Sequence, residues 1–399
     1  MTGLLNWLSQ VIAVTEFSLR TLPQRKGSAA SAVFGIAGVV AVLVGVLSIA
    51  QGIVRMMESS SDPENAIVLR TGATSEMMSG FSNEWARIIS EAPGVSRQAD
   101  MTMASSELFV IINLPLRSTG TDANVPLRGV VPAAFEVRDR FRMIEGRPFR
   151  WGLSEVIVGV AASRQFAGLE LGSSIEVGQE RWPIVGIFAA GGGIAESEIW
   201  TDAKVLQPAF RRGDSYQAVY AKLRTPAAFQ NFKDALTTDP RLSVKPLRED
   251  EYYASQSTML VNMITGLGTL VAGLMGLGAL FGALNTMYTA VSARSREIAT
   301  LRALGFRGGP IVLSVLFEAL VLALLGGAIG GLGAYFAFDG FRTATMNWSS
   351  FSQIAFAFDV NARLLIQGVV YAAILGLIGG LFPALRAARL PVAQALHEL

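Results

Sequence analysis

Four long apolar runs set the frame of this chain, and polar stretches of very unequal length separate them. Residues 28–54 carry no charge, and 27 helical residues reach about 40 Å, enough to cross a bilayer with some tilt. The run is too long for a signal-peptide core and reads as a retained anchor. Three more runs, 257–290, 311–338 and 364–385, predict three further transmembrane helices. Small residues recur in them at helical spacing. Gly38, Gly45 and Gly52 fall every seven residues, and Gly278/Gly282 and Gly326/Gly330 form G-x-x-x-G pairs. Such stripes predict close helix packing.

Between the first two runs, residues 55–256 have the pattern of a water-exposed α/β domain. A strand at Ala66–Arg70, a helix with Phe81, Trp85, Ile88 and Ile89 on one face, and a strand at Leu108–Leu114 make one unit. A second unit runs from Tyr216–Leu223 through a helix bearing Phe229, Phe232 and Leu236 to Leu242–Leu247. The two units bracket an insertion, about 125–205, of short strands and turns. Ahead of the first run, residues 1–27 hold an amphipathic stretch, Leu4–Arg20, that reads as a helix on the membrane surface. Residues 339–363 read as a short connector and 386–399 as a tail.

Composition narrows the chemistry. With 51% hydrophobic and 16% charged residues, the chain is too apolar for a soluble protein and too charged for spans alone. It has no cysteine, and its only histidine is His397, so neither a catalytic constellation nor a metal site is expected. The glycine run Gly191–Gly193 is followed by Glu196 and Glu198 instead of Lys-Ser/Thr, and G-x-x-x-x-G-K-[ST] occurs nowhere in these residues. If ATP drives this protein, another chain is expected to bind it.

Charge sets the orientation. Arg20, Arg25 and Lys26 precede the first run; Arg294, Arg296, Arg302 and Arg307 fill the loop 291–310; Arg386 and Arg389 follow the last run. The connector has only Arg342 and Arg363. The positive-inside rule then places both termini and the arginine loop in the cytoplasm and the large domain outside.

Two features of the cytoplasmic side stand out. In the loop, Ile298, Leu301 and Leu304 recur at helical spacing, with Arg294, Glu297 and Arg302 available for polar contacts. Gly305 reads as a C-cap, and Gly308, Gly309 and Pro310 break the chain. A short stiff helix along the membrane surface, on which a cytosolic partner pushes, is one reading; a solvated connector is the other. Glu318 is the one charge inside a run, about 12 Å beyond Pro310 at the rise of a helix. A carboxylate there is costly. A proton relay, a polar latch between helices and a structural bond all remain open, with Asn285 as a candidate partner.

The layout, together with several stretches, resembles the MacB/FtsX/LolC superfamily of ABC transporter permeases. These stretches are Asn285-Thr286-Met287 with Arg296–Gly305; Glu318 and the glycines after it; and Pro383, Ala384, Arg386, Ala387, Ala388, Arg389, Pro391, Ala395 and Leu396. In the large domain they are Leu127–Val130, Glu145–Arg147, Val156–Gly159 and Ile184–Phe188. The resemblance implies an α+β membrane protein: four transmembrane helices and a large periplasmic α/β domain with Porter-like split strand–helix–strand units and a β-rich Sabre-like insertion. It implies a coupling helix seated on an ATPase, formed by Arg294, Arg296, Glu297, Ile298, Thr300, Leu301, Arg302, Leu304 and Gly305. The chain itself would bind no cofactor; two partner ATPase subunits would hold ATP and Mg. A second permease copy or paralogue, a periplasmic adaptor and an outer-membrane channel complete the implied assembly in a bacterial inner membrane, with no nucleic acid. Mechanotransmitting export is the implied activity, with lipoprotein extraction of the LolC kind or FtsX-like regulation or sensing as alternatives.

Overall fold

The computed structural model describes residues 2–21, 26–99, 101–178, 180–347 and 350–389. Arg25, Pro391, Ala395, Leu396 and His397, and the side chain of Arg20, lie outside the described residues. Two compact units form: one from residues 1–51, 262–341 and 358–399, the other from 52–261 and 342–357.

The second unit is built on a ten-stranded sheet. Its main path runs Val244–Arg248, Asn65–Arg70, Ala218–Lys222, Ala104–Pro115, Asp122–Val130, Ile199–Asp202, Val156–Gly159, Glu180–Ala190, Phe141–Gly146. Strand Asn65–Arg70 is buried at every position but the last, as expected for a strand covered on both faces. Helices Asn83–Ser90 and Phe229–Thr238 supply cover, with Ile89, Phe232 and Leu236 packed on Val68, Val219 and Ala221. Ser82 caps the first of these helices by accepting from the Trp85 N–H. A second core gathers Leu108, Leu127, Val158, Phe166, Trp182 and Ile199.

Strand Ala104–Pro115 belongs to both halves of this unit. Residues 104–107 pair with Ala218–Ala221, and residues 108–115 pair antiparallel with 122–129. The expected start of the insertion, about 125, falls inside the strand Asp122–Val130, which pairs with the same long strand Ala104–Pro115. The long strand expected at Tyr216–Leu223 is broken too: Ser215–Tyr216 pairs with Phe81–Ser82, and the main ladder resumes at Ala218. The stretch 339–363 is more than a connector. Its strands Arg342–Asn347 and Ser352–Ala357 form a hairpin with Ser352, Ile354 and Phe356 buried, and the Ala355 N–H donates to Ser197 Oγ at 3.0 Å.

In the glycine run, Glu196 Oε1 accepts from the Ala190 and Gly192 N–H groups at 2.9 and 2.8 Å. The protein's own carboxylate takes the amides that a phosphate would need.

Six helices concern the first unit and its links to the second: α1 (Thr2–Thr21), α2 (Lys26–Ser60), α3 (Glu249–Ser292), α4 (Ser295–Ala303), α5 (Gly308–Phe338) and α6 (Ala362–Ala388). Of these, α2, α3, α5 and α6 are long and apolar enough to cross a membrane. Glycines let them touch. A Cβ at Gly326 would sit 2.8 Å from the Val33 carbonyl oxygen of α2, and one at Gly330 would collide with the Ala37 carbonyl. Gly380 faces Ala319, and Gly45 faces the Phe338 ring. Gly52 meets the Ala357 carbonyl within the second unit. Gly38, Gly278 and Gly282 have no such neighbour within 4 Å, against the expected packing role. A small residue permits close approach but does not supply the helix that approaches.

Candidate coupling site

The loop between α3 and α5 folds as the helix α4, and both of its ends are fastened. At its C-terminus, Gly305 adopts φ +95°, its N–H donates to the Arg302 carbonyl, and the Phe306 N–H donates to the Leu301 carbonyl. This is a Schellman closure, and its left-handed position favours glycine. The Arg302 guanidinium donates to the Ala388 carbonyl at 2.8 Å, meeting a free carbonyl in the last turn of α6. Arg386, two residues earlier, lies over the Tyr288 ring of α3 at 5.5 Å.

At the N-terminus, Arg294 holds the cap position without a side-chain cap. Its Nη1 donates to Ser18 Oγ of α1 at 3.0 Å and lies 3.4 Å from Glu318 Oε2 of α5. Its Nε donates to Glu297 Oε2 at 3.0 Å. Ser18 Oγ and Ser314 Oγ, one turn before Glu318, share a 2.8 Å hydrogen bond. Three elements, α1, α4 and α5, thus meet at one guanidinium. Glu318 pairs with Arg294, and Asn285 sits exposed on α3. Sequence reasoning placed Arg294 in the loop and Glu318 in the span, and missed that a helix start just outside an apolar run can reach one carboxylate inside the next.

The body of α4 divides by burial. Ile298 and Ala299 are buried, and Ile298 packs with Val291, Ile311, Val315, Ala384 and Ala387. Leu301 is half-buried. Leu304, expected on the same apolar face, is instead 72% exposed. It falls on the cap, where the Schellman turn swings the chain away. Arg296, Glu297, Thr300 and Leu304 form a mixed exposed surface with Gly305 beside it.

The second unit holds a separate charged cluster. Buried Arg128 pairs with Glu76, Glu107 and Glu198 at 2.7–2.8 Å, and Arg138 pairs with Glu107 at 2.6 Å. Burial alone would raise the Glu107 carboxyl, but the charges of Arg138 and Arg128 outweigh it and hold it below the usual range. Glu249 has a different balance. Burial pushes it up to about 7, against the opposing charge of Arg138, while it accepts from the Asp62 N–H at 3.0 Å. Arg128, Arg138, Glu76, Glu107 and Glu198 satisfy one another, an arrangement that fixes a fold.

Residues 29–239 match the MacB-like periplasmic core domain family, and residues 269–392 match the FtsX-like permease C-terminal family. The chain is a MacB/FtsX-family ABC transporter permease. The permease is 24% identical to the macrolide export ATP-binding/permease protein MacB of Bdellovibrio bacteriovorus, over 95% of this chain and 60% of that protein. It is 25% identical to the MacB of Hahella chejuensis, over 75% of this chain and 47% of that one. It is 30% identical to the uncharacterized ABC transporter permease YknZ of Bacillus subtilis, over 35% and 31%. The permease thus spans less than two thirds of each of these relatives. Among solved structures, the periplasmic region of MacB from Actinobacillus actinomycetemcomitans aligns with 50% of the chain and 94% of that structure at TM-score 0.37 and 12% identity. Four apolar helices and family membership make the permease a multi-pass membrane protein with a large periplasmic-type domain.

Proposed function

We propose that this permease is the mechanotransmitting subunit of an export system, and that α4 is where an ATPase partner pushes. The observation that carries the reading is the two-faced fastening of α4. One face is tied to α1, α5 and α6 through Arg294, Ile298 and Arg302, and the other presents Arg296, Glu297, Thr300 and Leu304 to solvent. A helix fixed at both ends passes a load to the spans instead of bending under it. On this reading ATP and Mg are held by the ATPase partner, two copies of which would serve two permease copies; these 399 residues contain no G-x-x-x-x-G-K-[ST] loop. The basic residues flanking the spans support a bacterial inner-membrane location with both termini and α4 in the cytoplasm. Motion of α2 and α3 would then reach the outside domain, where an adaptor and an outer-membrane channel complete the path.

Affinity purification from gently solubilised membranes, followed by mass spectrometry, tests this. A stoichiometric ATPase lost on Leu304→Asp supports the reading. An ATPase retained at full yield by both Leu304→Asp and Glu297→Arg overturns the assignment of α4. Recovery of acylated protein, or of a wall hydrolase, in place of an adaptor would replace export by extraction or regulation.

A further inference from the structure

A cavity of about 480 Å³ opens in the second unit between the insertion and the hairpin Arg342–Asn347/Ser352–Ala357. Three arginines, Arg117, Arg164 and Arg342, line it together with Gln165 and Gln353, and no acidic residue does. They come from three separate segments, so the positive charge is gathered by the fold and not by a basic run.

The arginines are not equivalent. Arg117 donates to the Ser163 carbonyl and pairs with Glu170 at 2.6 Å, which fixes its guanidinium. Arg164 and Arg342 are exposed and have no carboxylate partner among the described residues. Gln165 closes the wall: its Nε2 reaches Gln353 Oε1 at 3.4 Å, and its Oε1 is buried.

We infer that this cavity is a binding site for a phosphoryl group. Guanidinium forks from two segments match the oxygens of a phosphate. A lipid headgroup and inorganic phosphate both carry those oxygens. Only three residues of chain separate Arg342 from Phe338, the last residue of a helix long enough to cross a membrane. The site would make the domain responsive to the lipid at its own membrane, or to a phosphorylated solute, without any part being played by nucleotide.

The test uses the whole chain in a neutral, phosphate-free detergent, with no ATPase present. Its failure would therefore leave the coupling role of α4 untouched. Native mass spectrometry reads binding of dihexanoyl phosphatidylglycerol, of inorganic phosphate and of uncharged dihexanoyl glycerol. Saturable binding of the phospholipid is expected, weakened about tenfold or more in the double variant Arg164→Ala/Arg342→Ala, as loss of charge-assisted hydrogen bonds requires. The control Arg97→Ala/Arg142→Ala removes the same charge elsewhere and should bind as the wild type does. Phospholipid binding without phosphate binding assigns a lipid headgroup; binding of both assigns the phosphoryl group whatever carries it. Equal affinity in the wild type and Arg164→Ala/Arg342→Ala, equal loss in the control, or tighter binding of a tetraglutamate peptide would each overturn the site.

Discussion

Arg294 and Glu318 are 24 residues apart in sequence and 3.4 Å apart in the fold. The pair crosses the break at Gly308–Pro310, so it welds the start of α4 to the middle of a span. Both side chains are nearly buried, 11% and 7% exposed. Glu318→Gln removes the charge partner but leaves Arg294 with Glu297 and Ser18. A loss of about 1.5–3 kcal/mol is expected, the usual range for a hydrogen bond to a charged group. Thermal unfolding in detergent measures it. Arg294→Ala/Glu318→Ala should lose less than the two single changes summed, because the one contact that they share is lost only once in the double variant. Strict additivity would show that the contact is not a working bond.

The surface of α4 gives a contrast between neighbours. Leu304→Asp alters a 72% exposed side chain and should shift stability by no more than about 0.5 kcal/mol. Ile298→Asp puts a carboxylate into the cluster with Ile311 and Ala384, and should prevent α4 from seating. Only the first separates docking from folding, so retention of ATPase by Leu304→Asp in the presence of unchanged unfolding would argue against the proposed docking face.

Gly305→Ala tests the closure of α4. At φ +95° a side chain is strained, and a cost of about 1–2 kcal/mol is expected. The readout is faster backbone hydrogen exchange at Leu304–Phe306, with exchange in α5 unchanged. A uniform rise across both helices would place the effect elsewhere.

Glycine position decides a third contrast. Gly330→Leu forces α5 away from the Ala37 carbonyl of α2 and should abolish stable folding. A Cβ at Gly278 meets nothing within 4 Å in one copy, and Gly278→Leu should leave single-chain stability intact. If α3 is instead a seam between two copies, Gly278→Leu will lower the dimer fraction in cross-linking, and it will do so without lowering the unfolding temperature.

Glu249 supplies a pH dependence. Its folded carboxyl titrates at about 7 because burial disfavours the charge, whereas an unfolded glutamate titrates near 4.5. Between those values the folded form binds the extra proton, so the stability present below about 4.5 is lost as pH rises to about 7. On the order of 3 kcal/mol is at stake over that interval. Glu249→Gln should flatten this part of the profile and gain most over the wild type near pH 8. An unchanged slope between pH 5 and 7 would mean that the carboxyl is already ionised in the fold.

Much of the second unit was legible because its signals are local. The face formed by Phe229, Phe232 and Leu236 is buried as its spacing requires. The hairpin at 342–357 was not, since Ser352, Ile354 and Phe356 make only a brief alternation between two spans. The glycine stripes announced contact without naming partners, which is why Gly326 and Gly330 found α2 while Gly278 and Gly282 found no neighbour. At the coupling site, Arg302 and Gly305 stand where helix-end rules put them. Arg294 paired across a helix break, and no periodicity reports a contact of that kind.

The shared strand Ala104–Pro115 has a consequence for ancestry and for engineering. An insertion whose first strand is the continuation of its host's strand cannot be traded between relatives as a cassette. A chimera joined at residue 125 would split the antiparallel ladder that pairs Leu108 with Gly129 and Pro115 with Asp122, whereas one joined between Glu107 and Leu108 would keep both ladders whole. Lineages that diversify the outer half of this domain are therefore bound to keep the register of that one strand, however far their loops diverge.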